Sequence, residues 1–200
     1  MKRKLRVILA VGLVIPALFL SGCLFNIFQT AMTVGKGNAS VTLGSGLLYF
    51  DFEGNPSWSA TPQARVTFGL SDNIDFGLQS GAMIPLSTGD PGWLGAKGDF
   101  KFLVTGRKSP VKVAFGFGGG YGIEFLGWGA FGELFVDLGP FAVAYQPTLT
   151  IADNVALWHH IAGGLRLNLS PKASILVMAD YRGPATPGLI SFLIALEIGF

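Results

Sequence analysis

The sequence is poor in charge. Only 13% of its 200 residues are Asp, Glu, Lys or Arg, against about 25% in a soluble domain. It has one cysteine, Cys23, and two histidines, His159 and His160. A single cysteine excludes an internal disulfide and any cysteine metal cluster. Adjacent histidines on a strand point to opposite faces, so this pair does not read as a metal site. Phosphate-loop, paired-zinc and nucleophile-elbow patterns are missing. The run Gly116-Phe-Gly-Gly-Gly-Tyr-Gly122 lies inside a strand pattern with no helix after it, and reads as packing rather than a nucleotide site. No cofactor and no metal are expected. A basic excess is missing too. The formal charge of +2 includes Lys2, Arg3, Lys4 and Arg6; without those four, ten basic residues face twelve acidic ones. That balance argues against a nucleic-acid partner, which needs a basic patch.

What is present is apolar and periodic. Half of the residues are hydrophobic and 29 are glycine. The last twelve, Leu189 to Phe200, place Ile190, Phe192, Ile194, Leu196, Ile198 and Phe200 on one face. Ser191, Leu193, Ala195, Glu197 and Gly199 fall on the other. A period of two marks a strand, and twelve residues suffice to cross a bilayer as a tilted strand, which needs about 9–11. Nine similar segments precede it, roughly 39–50, 61–71, 73–85, 93–105, 111–121, 127–138, 140–151, 157–169 and 172–182. The terminal segment, ending on Phe200, resembles the closing strand of bacterial outer-membrane β-barrels. The fold class that this resemblance implies is all-β: a closed antiparallel transmembrane barrel of about ten strands over residues 39–200, preceded by an N-terminal signal helix.

That signal occupies residues 1–22. A basic start is followed by the apolar run Val7 to Leu20, too short for a spanning helix and flanked like a signal peptide. Leu20-Ser21-Gly22-Cys23 then resembles the lipobox of bacterial lipoproteins at all four positions. The resemblance implies cleavage before Cys23 and lipidation of its sulfur. Residues 23–38 read as lipid anchor and tether, with Phe25, Ile27 and Phe28 at the bilayer surface or the barrel rim.

Fixing each segment's outward face by its apolar residues places the charges on the opposite face. Arg65, Asp75, Lys97, Asp99, Lys101, Lys112, Glu133, Asp137, Arg166, Asp180, Arg182 and Glu197 form the expected lumen network. Lys172, His160 and Asn168 are read onto the same face, together with Phe131, Phe135, Leu176 and Met178. A charge facing mid-bilayer lipid costs about 2–4 kcal/mol for Arg or Lys, and unpaired buried charge is also expensive. Near-equal numbers of both signs can pair across the interior.

Connections read as short after segments two, four, six and eight, long after one, three, seven and nine, and intermediate after the fifth, with residues 51–60 as the first long loop. Outer-membrane barrels have short periplasmic turns and longer extracellular loops, which puts both termini on the periplasmic side. Tyr49, Trp58, Tyr121, Trp128, Trp158 and Tyr181 gather near the long-loop ends, and Phe141 and Phe200 near the other, like paired aromatic girdles. The expected protein is a monomeric outer-membrane barrel lipoprotein, surrounded by outer-membrane lipids and without enzymatic activity. Its expected role is structural or surface-interacting. The alternative is a narrow channel or small-ligand barrel. A third reading is a lipid-modifying enzyme using His160 with Glu133 or Glu197.

Overall fold

A computed structural model describes residues 29–52, 55–87, 93–122, 127–151, 155–183 and 189–200. The signal segment, Cys23 and residues 24–28 lie outside them. Ten strands run β1 (Ala39–Phe52), β2 (Asn55–Gly69), β3 (Ile74–Pro85), β4 (Trp93–Leu103), β5 (Val111–Gly122), β6 (Gly127–Leu138), β7 (Phe141–Ile151), β8 (Val155–Ser170), β9 (Ala173–Gly183) and β10 (Leu189–Gly199). Each pairs antiparallel with its sequence neighbours, and β1 pairs β10, from Ser40↔Gly199 to Tyr49↔Ile190. The expected ten-stranded closed barrel is therefore what the chain forms.

Alternation builds its two surfaces. On β10, Phe192 and Ile194 are 58% and 59% exposed on the outside, while Leu193 and Ala195 are each 3% exposed within. Among strand residues whose side chains are described, no Asp, Glu, Lys or Arg points outward. Phenylalanines tile part of the exterior: Phe76 and Phe100 lie 5.1 Å apart between ring centroids, as do Phe102 and Phe115. At the rim holding β1's C-terminal end, Tyr49 lies against Trp58 and Tyr121 against Trp128, with tilted rings whose centroids are 5.1 Å apart in both pairs. Trp158 is on the inward side with His160, so it does not belong to this outer belt.

Two mid-strand prolines mark interruptions. The β2–β3 register passes from Ala60↔Ile84 to Gln63↔Gly81 across Pro62. The β6–β7 register passes from Phe131↔Thr148 to Leu134↔Tyr145 across Pro147. Proline has no N–H to give the ladder.

Three details correct the sequence reading. Most of 51–60 is strand rather than loop: β1 reaches Phe52 and β2 restarts at Asn55. The opposite rim carries a long connection of its own, between Leu103 and Val111. Loop length therefore does not distinguish the two rims as expected. Lys172 does not line the lumen; it is exposed in the turn between β8 and β9.

Candidate functional site

The candidate site is the lumen, and glycine decides how it fills. In register, Thr67, Gly77 and Asp99 lie side by side on β2, β3 and β4. With no side chain on Gly77, Arg65 reaches across β3. Its Nη1 and Nη2 donate to Asp99 Oδ2 and Oδ1 at 2.6 and 2.7 Å, a two-pronged pair. Its Nε donates to Thr67 Oγ1 at 3.2 Å. A Cβ on Gly77 would fall on the guanidinium itself. Gly77→Ala is expected to cost about 1–3 kcal/mol, because the arginine cannot retreat from a filled interior. Urea unfolding of the refolded barrel measures it.

The same device operates across β5, whose inward positions Gly116, Gly118 and Gly120 carry no side chains. Gly116 stands beside Glu133, and Gly118 beside Phe131. This leaves room for β4 and β6 to meet inside the barrel. Lys97 Nζ lies 3.7 Å from Glu133 Oε1 and 4.8 Å from the Phe131 ring centroid. It donates to Gln146 Oε1 at 3.0 Å. Lys101 lies 3.5 Å from Asp75 Oδ2. Arg65, Lys97 and Lys101 thus face Asp75, Asp99 and Glu133, three charges of each sign, all buried. In a dry interior such charges require their partners.

A second layer lies at the rim where β1 begins. Residues 29–34 do more than connect: they run inside the mouth. Ala31 N donates to Asp137 Oδ1 at 3.0 Å. Lys101 Nζ donates to Thr30 O at 3.1 Å and Met32 O at 2.6 Å. Val34 N donates to both Asp75 oxygens, at 3.3 and 3.2 Å. Arg166 Nη1 donates to Thr30 Oγ1 at 3.1 Å, and its Nη2 to Glu197 Oε2 at 2.8 Å. The segment then turns into β1 through Gly35 and Gly37, at φ of 85° and 73°. Glycine enters that left-handed region without a steric penalty.

The remaining network residues sit apart. Arg182 Nη2 donates to Asp180 Oδ2 at 2.8 Å, two residues along the same strand. Lys112 Nζ donates to Ser109 O at 3.2 Å, at the mouth. Asn168 faces the mouth but is exposed. The catalytic set considered from sequence is spread over β6, β8 and β10. His160 lies in register with Gln146 and Arg182. Glu133 is next to Lys97, and Glu197 is bound by Arg166 and Ser174 near the opposite rim. Among the described residues, no group of three or more His, Cys, Asp or Glu could hold a metal ion.

No family model matches the sequence, and no curated protein does. Solved structures do. One is the N-terminal β-barrel domain of Pseudomonas aeruginosa OprF, at 11% identity and a TM-score of 0.41, covering 83% of this chain and 99% of that one. Neisserial surface protein A gives 11% and 0.44, covering 82% and 100%. The translocator domain of the autotransporter NalP from Neisseria meningitidis gives 10% and 0.48, covering 82% and 88%. These neighbours are outer-membrane barrels. The likeness is one of fold.

Proposed function

We propose that this chain is an integral barrel of a bacterial outer membrane, closed to ions, with a structural or surface-interaction role and no enzymatic one. The filled lumen is the observation that carries the reading. A layer of six paired charges spans the interior, and residues 29–34 occupy one mouth. An outward face free of charge among the described residues suits lipid, where an exposed Arg or Lys costs about 2–4 kcal/mol. Lipidation at Cys23 belongs to the same proposal. Five residues separate Cys23 from Gln29, an extended reach of about 20 Å. A lipid on Cys23 would then hold the stoppered mouth against the periplasmic leaflet. The barrel works as a monomer among outer-membrane lipids.

Planar-bilayer recording tests the closed state. The reconstituted chain is expected to insert without discrete conductance steps. Reproducible steps at each insertion would replace this reading with the narrow channel.

A further inference from the structure

Between the inserted segment and the wall formed by β8, β9, β10 and β1 lies a cleft of about 270 Å³. Arg107, Arg166 and Lys172 line it, against a single acidic side chain, Glu197. Its remaining lining mixes hydroxyl and amide groups with apolar ones, Met32 and Phe200 among them. The cleft opens at the rim, next to the exposed Phe200.

Its cations are placed but not exhausted. Arg166 gives one hydrogen bond from each nitrogen: Nε to Ser174 Oγ at 3.2 Å, Nη1 to Thr30 Oγ1 and Nη2 to Glu197. Each terminal nitrogen of a guanidinium carries two hydrogens, so each retains one. Arg107 Nη2 donates to Thr33 O at 3.1 Å, and its Nη1 stands 3.7 Å from the largely exposed Asp72. A pair that exposed and that long contributes little. The Lys172 ammonium has no described partner. Independently, Ser40 also lines the cleft; it is 2% exposed, yet its Oγ has no hydrogen-bond partner among the described residues. A buried hydroxyl left unpaired costs about 1–3 kcal/mol, and a ligand oxygen in the cleft would remove that cost.

We propose that this cleft binds a phosphate-bearing anion, the phosphate resting among Arg107, Arg166 and Lys172 and accepting a hydrogen bond from Ser40. This cleft lies within the stoppered mouth and shares Arg166 and Glu197 with its charged layer, but a bound anion there does not require that the lumen be closed to ions. Phosphate fits better than a carboxylate. It carries up to two charges and enough oxygens for two guanidinium donors, an ammonium and a hydroxyl at once. The same chemistry is offered by a soluble phosphomonoester and by a phospholipid headgroup reaching over the rim.

Calorimetric titration of the full chain, refolded in zwitterionic detergent, distinguishes the sources. The probes are inorganic phosphate, glycerol phosphate, and mixed micelles of phosphatidylglycerol or phosphatidylcholine. Binding of the soluble probes assigns a soluble ligand; binding of phosphatidylglycerol alone assigns a headgroup. In either case Lys172→Gln with Arg107→Gln should weaken binding by about tenfold or more. Ser40→Ala should weaken it by several-fold. Lys108→Gln, an exposed cation in the same turn as Arg107 but outside the cleft, should change it by less than about twofold. The single variant Lys172→Gln, altered only in an exposed turn, retains the test if the double variant does not refold. No binding of any probe overturns the proposal, and so does an equal loss in Lys108→Gln.

Discussion

Replacing Asp99 by alanine is expected to destabilise the barrel by about 3–5 kcal/mol. Asp99 accepts both terminal nitrogens of Arg65, and the two side chains are at most 1% exposed. Removing the carboxylate leaves a guanidinium that cannot lose its proton and cannot reach water. Its other anionic neighbours, Asp75 and Glu133, are already placed beside Lys101 and Lys97. The double variant Arg65→Met with Asp99→Leu separates charge from shape. Replacing a buried pair by apolar residues of similar volume is often neutral or stabilising by about 1–4 kcal/mol. Urea titration of both variants in vesicles, followed by tryptophan fluorescence, measures the difference. A loss below about 1 kcal/mol in Asp99→Ala would show that water reaches Arg65 and that the lumen is wet.

Ile194→Arg is the second large effect. Ile194 sits midway along β10, 59% exposed on the outer face, between Phe192 and Leu196 on the same side. If that face meets acyl chains, arginine there should cost about 2–4 kcal/mol in vesicles. The penalty should shrink towards about 0–1 kcal/mol for an arginine placed near a rim, such as Ile198→Arg. A flat profile along β10 would contradict a bilayer around this wall.

The strands were legible because lipid and lumen impose opposite demands on alternate residues. Phe192, Ile194 and Leu196 show this within five positions. The segregation of charge was legible for the same reason. The pairing of those charges was not, since Arg65 meets Asp99 only by crossing Gly77, and that depends on a register between β2, β3 and β4 that no single strand records. The inserted segment was not legible either. Residues 29–34 have no periodicity, and most of the bonds that hold them use backbone groups: Ala31 N, Val34 N, Thr30 O, Met32 O and Thr33 O. Backbone groups are common to every residue and leave no mark in sequence. The first hairpin differs from the loop expected over 51–60, since the ladder continues to Phe52↔Asn55.

The most direct test of the account is a spin-label scan of β10 in lipid vesicles. Single cysteines are placed in turn at positions 190–198 in a Cys23→Ser background. Collision with oxygen, which concentrates among acyl chains, is compared with collision with a water-soluble nickel complex. The account predicts oxygen maxima at positions 190, 192, 194, 196 and 198, with minima at the four positions between. Maxima at 191, 193, 195 and 197, or no oxygen preference at any position, would contradict a barrel that turns this face to lipid.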